Sequence, residues 1–168
     1  VQIPEGKPCF LLIARLLGDK GIREYVHAAK IVKDQYPEVR FRLVGWIDVN
    51  PDSVKQEELN SWINDGSIEF LGRLADVRPA IEGCSVFVLP SYREGTPRTV
   101  LEAMSMGRPI ITTDAPGCRE TVRHGYNGFL VPVKSVSELA RAMLKFIENS
   151  DLIKKMGLNS RQIVEEKY

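Results

Sequence analysis

Glu94 and Glu102 stand eight positions apart in Ser91-Tyr-Arg-Glu-Gly-Thr-Pro-Arg-Thr-Val-Leu-Glu, and their spacing and surroundings could do chemistry. Paired carboxylates divide acid and base roles in much glycoside chemistry. Local context favours a different use here. The short apolar run Ser85-Val-Phe-Val-Leu-Pro90 reads as a strand buried on both faces of a parallel sheet. Glu94-Gly95 follows in a loop, at the carboxyl edge where open α/β sheets bind ligands. Thr96 is the expected N-cap and Pro97 the expected first helical residue, with the helix running to Met106 before Gly107 and Pro109 stop it. Free amides and the positive end of the helix dipole then face the same crevice and suit a phosphate.

Glu102 falls among Val100, Leu101, Ala103 and Met104, where an unpaired buried carboxylate would be costly. At 1.5 Å per residue it lies roughly 7–8 Å along the helix from Pro97. The two carboxylates can thus grip opposite ends of one elongated ligand, and sugar or ribose hydroxyls would satisfy both. The plainer alternative is a solvated loop acid and a helical salt-bridge partner.

A second cluster, Ala14-Arg-Leu-Leu-Gly-Asp-Lys-Gly21, ends the first strand. It puts Arg15 and Lys20 on the same sheet edge as Glu94, able to clamp a diphosphate, the guanidinium as a fork and the ammonium as a mobile point charge. Surface cations beside a loop are also common without function.

The elements that must position these groups alternate along the chain. Strands are expected at Pro8–Ala14, Val39–Gly45, Ile68–Leu71, Val86–Leu89, Pro109–Thr112 and Phe129–Val131. Helices are expected at Gly21–Tyr36, at Asp52–Asp65 with its cap at Asp52 or Ser53, and at Asp76–Glu82. A short helix is expected between the last two strands. From Ser135, with Glu138 at the reciprocal capping position, helical sequence continues to the end. The order argues α/β: a Rossmann-like, doubly wound parallel sheet with helices on both faces. No Gly-x-Gly-x-x-Gly or Walker A motif appears, which disfavours nicotinamide and P-loop chemistry.

With 43% hydrophobic and 27% charged residues and a net charge of +1, the chain reads as a single globular domain, 1–168, without the basic field of a nucleic-acid binder. It has no run long enough to span a membrane. Cys9, Cys84 and Cys118 make neither a zinc spacing nor a disulfide framework, and suit a reducing cytosol. His27 and His124 read as surface or packing residues, and Trp62 as a packing residue. Val1 in place of an initiator Met suggests a piece of a longer polypeptide.

Taken together, the Arg-Leu…Lys-Gly turn, Phe70-Leu-Gly-Arg73, Pro90-Ser91, the paired glutamates with Glu102-Ala-Met-Ser-Met-Gly-Arg-Pro109, Glu120-Thr-Val and Gly125-Tyr-Asn-Gly-Phe-Leu-Val131 carry a resemblance. The chain resembles, over nearly its whole length, the carboxyl-terminal donor-binding domain of family 4 retaining GT-B glycosyltransferases, the glycosyl transferases group 1 type. The wording near Arg93–Arg98 and Thr113–Glu120 is similar to the subgroup that builds bacterial capsule, O-antigen or lipid-linked oligosaccharides.

The resemblance implies one half of a GT-B fold, with an amino-terminal acceptor domain outside this chain. It implies transfer of a sugar from a UDP- or GDP-linked donor to a hydroxyl of a glycan or lipid-linked glycan, with retention. No separate cofactor or metal is implied, and no Asp-x-Asp motif occurs. Arg15 and Lys20 would hold the diphosphate, Glu94 the transferred sugar and Glu102 the ribose. Gly72, Arg73 and Leu74 would lie against the base. Amides of Gly95, Thr96 and Arg98 would approach the sugar and phosphates, Pro97 having none. The family commonly has a small run such as Gly-Phe-Gly after the first glutamate, where this chain has Gly-Thr-Pro-Arg. Arg98 is open between a diphosphate contact, a pair with either glutamate, and solvent. A cytoplasmic enzyme peripherally bound to the inner membrane face is implied for the whole protein, with a sugar-nucleotide epimerase or a non-catalytic nucleotide-binding domain as alternatives.

Overall fold

The alternation of apolar runs and one-sided helices folds into one parallel sheet with helical layers, described for residues 2–168 by a computed structural model. The strands are β1 (Cys9–Ile13), β2 (Arg40–Val44), β3 (Glu69–Gly72), β4 (Val86–Leu89), β5 (Ile110–Thr113) and β6 (Gly128–Val131). Their spatial order is β3-β2-β1-β4-β5-β6 and every pairing is parallel. Phe10 of β1 aligns with Phe41 on one side and Val86 on the other. Every residue of β1, β4 and β5 is buried, as strands covered on both faces require.

The helices are α1 (Ile22–Gln35), α2 (Gln56–Asn64), α3 (Arg78–Glu82), α4 (Arg98–Ser105), α5 (Val136–Glu148) and α6 (Asp151–Lys167). In α1 the stripe Ile22, Tyr25, Val26, Ala29 and Val32 is buried, and α1 packs on α5 while α4 packs on α6. With right-handed crossovers the two pairs cover opposite faces, which makes the sheet doubly wound and Rossmann-like. Trp62 is buried against the core. No helix among the described residues is long and apolar enough to cross a membrane.

Three local expectations change. No helix forms between β5 and β6: Pro116 and Gly117 (φ +83°) break the segment into turns closed by the Ala115 carbonyl. The second helix starts at Gln56 rather than Asp52, because Asp52 and Ser53 are spent on another loop. The Asp19 amide donates to Asp52 Oδ2, and Ser53 Oγ donates to the Leu16 carbonyl. Lys55 caps that helix, its amide held by the Glu58 carboxylate. At α5, Ser135 Oγ accepts from the Glu138 amide as expected, but the Glu138 side chain pairs with Arg141 instead of reaching back.

The most heavily bonded polar side chain of the interior is Arg108, fully buried. Its guanidinium donates to the carbonyls of Ile81, Glu82, Cys84, Met106 and Gln2. It thereby bonds carbonyls at the ends of both α3 and α4, where the helical ladder runs out of amide donors.

Candidate functional site

The strand order reverses direction between β1 and β4, so the loops after these neighbours depart to opposite faces and leave a crevice. Arg15 and Lys20 follow β1, and Glu94 follows β4. Lys20 sits on a short 3₁₀ turn, Gly18–Lys20, that is bonded to both neighbouring loops. The Gly18 amide donates to the Asp52 carbonyl (2.9 Å), and the Tyr92 amide donates to the Asp19 carbonyl (2.8 Å). Gly21 has φ +74°, and a Cβ there would lie 2.1 Å from the Pro90 carbonyl oxygen. Only glycine lets the two loops come this close.

That approach brings the Lys20 Nζ to 2.8 Å from Glu94 Oε2. Ser91 Oγ donates to the same oxygen at 2.6 Å. Both contacts fall on Oε2, so Oε1 has no protein partner among the described residues. The Glu94 amide donates to the Pro116 carbonyl (3.0 Å), and Gly117 packs against the Glu94 carbonyl. Tyr92 fastens the loop again by donating from its hydroxyl to Glu24 Oε2 at 2.6 Å. Burial first, and the Glu24 carboxylate next, hold the Tyr92 phenol well above its ordinary range, so it remains a donor.

The helix after this loop begins one residue later than expected. Pro97, at φ −78° and ψ 89°, is the cap, and its carbonyl accepts from the Leu101 amide. Thr96 is exposed and caps nothing, since the loop stays extended through the proline. No side chain caps α4. The first-turn amides of Arg98, Thr99 and Val100 are therefore open to an outside acceptor. A cavity of about 240 Å³ lies at this point, lined by Arg15, Lys20, Glu94, Thr96, Pro97 and Arg98 among others. Arg15 is steadied by Asp48 Oδ2 at 3.2 Å. Arg98 is exposed and forms no ion pair among the described residues, so it pairs with neither glutamate. Gly95 and Thr96 line a neighbouring cavity with Glu94 and Glu120.

Glu102 departs from its sequence expectation: it is exposed, with Val100, Ala103 and Met104 carrying the buried face of α4. No burial penalty forces a partner on it, and its charge is felt by Arg78. Gly72 and Arg73 line a further cavity of about 320 Å³ together with Trp46 and Phe70, while Leu74 packs against the core instead. The Arg73 guanidinium lies 4.1 Å from the centre of the Trp46 ring. Residue pattern alone does not single out Trp46, although an aromatic directly after the strand-ending Gly45 is a usable signal.

His124 accepts at Nδ1 from the Leu130 amide and packs edge-on against Phe129, and His27 is exposed. All three cysteines are free and buried. A surface cavity of about 560 Å³, lined by Gln2, Ile3 and residues of α6, contains none of these site residues.

The domain is α/β, a Rossmann-like sheet with cations, a carboxylate and an uncapped helix start at its switch point, groups whose chemistry suits a polar, anionic ligand. The chain belongs to the glycosyl transferases group 1 family, whose pattern matches residues 7–149. It is 36% identical over 156 residues to the N,N'-diacetylbacillosaminyl-diphospho-undecaprenol alpha-1,3-N-acetylgalactosaminyltransferase of Campylobacter jejuni, covering 93% of this chain and 40% of that one. Among solved structures it superposes on Anabaena Alr3699/HepE in complex with UDP, with TM-score 0.84, 27% identity and coverage of 96% and 45%. It also superposes on the C-terminal domain of the group 1 family protein LpcC from Francisella tularensis, with TM-score 0.83, 27% identity and coverage of 99% and 88%. The chain thus spans 40% of the length of the Campylobacter relative and 45% of that of the Anabaena one.

Proposed function

We propose that this chain is the carboxyl-terminal donor domain of a retaining glycosyltransferase that moves a sugar from a nucleoside diphosphate donor to a hydroxyl acceptor. The observation that carries this reading is the single cavity shared by Arg15, Lys20, Glu94 and the start of α4. Cations and open helix amides sit together where a diphosphate would lose its sugar, beside a carboxylate with one free oxygen. As the glycosidic bond breaks, the sugar becomes oxocarbenium-like and negative charge grows on the leaving diphosphate. Arg15, Lys20 and the α4 amides stabilise that charge, while Glu94 orients the sugar through its hydroxyls. Arg98, unpaired on the same wall, adds a further positive charge beside the diphosphate.

Glu102 grips the ribose from the exposed side of α4, and the Gly72–Leu74 segment lies against the base. The relatives' names favour transfer over epimerisation, and the UDP complex of HepE supports a uridine donor ahead of a guanosine one. The Campylobacter relative's name supports a lipid-linked glycan as the acceptor. In this reading the acceptor is held by an amino-terminal domain, the enzyme works on the cytoplasmic face of the membrane, and no separate cofactor or metal ion takes part.

Calorimetric titration of the intact protein with UDP, GDP and ADP tests the site. Binding of one nucleotide, weakened at least tenfold in Arg15→Ala and Glu102→Ala, is expected. No binding of any nucleotide, or affinity unchanged from the parent in both variants, would defeat the donor assignment.

A further inference from the structure

We propose that Ser91 is the positioning residue that keeps Glu94 facing the sugar while Lys20 is drawn onto the donor diphosphate. The proposal rests on the roles assigned above to Glu94 and Lys20. Both Ser91 and Lys20 donate to Glu94 Oε2. Lys20 has a competing demand: a mobile ammonium beside a diphosphate moves toward the greater negative charge. The Ser91 hydroxyl carries no charge and has no reason to leave. Once Lys20 turns, it is the remaining protein donor to Oε2, and Oε1 stays free for a sugar hydroxyl.

The backbone around Ser91 is held from several sides. Its side chain is fully buried. Its carbonyl accepts from the hydroxyl of Thr113 on β5. Pro90 before it lies against Gly21, and Tyr92 after it is bonded to Asp19 and Glu24. Thr112 repeats the arrangement one residue earlier, donating to the Leu89 carbonyl at 2.7 Å. The Ser91 hydroxyl is therefore a fixed point against which a carboxylate can be aimed, and its side-chain bond goes to Glu94 rather than into the core. Preorganised groups of this kind act without reorganising as the reaction proceeds. Ser91 itself does not touch the donor.

Turnover and binding should therefore separate. In the intact glycosyltransferase, UDP release is followed as the sugar passes to water from UDP-glucose, UDP-N-acetylglucosamine and UDP-N-acetylgalactosamine, using the donor turned over fastest, with UDP affinity measured in parallel. Losing a hydrogen bond to a charged group corresponds to about 10- to 100-fold in rate. Ser91→Ala should lower kcat by that factor, leave the donor KM and UDP affinity within about twofold, and keep the melting temperature near that of the parent. Ser91→Thr, which restores a hydroxyl, should recover most of the loss.

Full kcat in Ser91→Ala, or loss of kcat and UDP affinity in the same proportion, would overturn the proposal. If the threonine variant misfolds, the split between kcat and UDP affinity in the alanine variant still decides. Glu94→Gln separates the two levels of the argument. Loss of turnover in Glu94→Gln but not in Ser91→Ala refutes the role of Ser91 alone. Undiminished turnover in Glu94→Gln, or no turnover of any donor by the parent, removes the donor reading beneath it.

Discussion

The Nζ of Lys20 lies 2.8 Å from Oε2 of Glu94, although 74 positions separate the two in the chain. Their side chains are 20% and 13% exposed, so the pair is shielded from the salt screening that makes surface ion pairs nearly worthless. Partial burial also desolvates both charges, a penalty offset only by good geometry and additional hydrogen bonds. Ser91 supplies such a bond to the carboxylate. The two charges thus offset each other at this point, with a cation held next to the place a diphosphate would occupy.

Gly117 should be as necessary to this geometry as the charged residues. A Cβ there would fall 2.0 Å from the Glu94 carbonyl oxygen, at a φ of +83° that L residues rarely adopt. Gly117→Ala must displace the loop bearing Glu94, at a strain of about 1–3 kcal/mol. Turnover of the intact enzyme is expected to fall at least about tenfold, a loss of about 1.4 kcal/mol in transition-state stabilisation. Gly66→Ala is the comparison: φ is +78° but nothing lies within 4 Å of the added carbon. It should lose stability in urea without losing turnover, and equal losses of turnover in the two variants would contradict this account.

Arg108 should matter to stability alone. Its fully buried guanidinium bonds only to main-chain carbonyls, and burial is the main influence lowering its pKa. Arg108→Met leaves several carbonyls unpaired in the interior, and a loss of about 3–5 kcal/mol in urea unfolding is expected. Arg108→Lys should recover only part of it, because an ammonium cannot reach the carbonyls a planar fork does. A loss below about 1 kcal/mol for the methionine variant would contradict the stated role.

Glu58 should add an acid-dependent increment. The Arg23 guanidinium, bonded to both carboxylate oxygens at 2.9 Å, lowers its pKa from 4.5 to about 2. A carboxylate whose folded pKa lies below its unfolded one binds protons more weakly when folded. Its stabilisation is therefore complete above pH 4.5 and is lost as the pH falls toward about 2. Both side chains are about one-third exposed, so solvent screening keeps the increment below about 1 kcal/mol. Melting temperatures of the parent and Glu58→Gln should differ at pH 6 and converge by about pH 2. A constant difference across that range would rule this out.

The fold was legible because its signals are local. Apolar runs ended by glycine or proline specified β1 and β4, and a stripe at helical spacing specified α1, because burial imposes those periods directly on the sequence. Even there, a segment's partners outside itself moved boundaries. Asp52 has the right chemistry for a helix cap, yet its oxygens hold the Lys20 turn and the helix starts later. Thr96 precedes a proline as a cap would, yet the loop keeps its extended path through Pro97.

The sequence by itself determined the α/β class, the sheet edge on which Arg15, Lys20 and Glu94 gather, and the family, since each is written in residue type and spacing. Only the tertiary structure decided that Lys20 and Ser91 share one oxygen of Glu94, that Glu102 stands in solvent, and that Arg73 lies over Trp46. The physical reason is the strand order. Setting β1 beside β4, and β2 beside β3, brings together loops remote in the chain, and a distance across such a junction leaves no period or motif in the sequence.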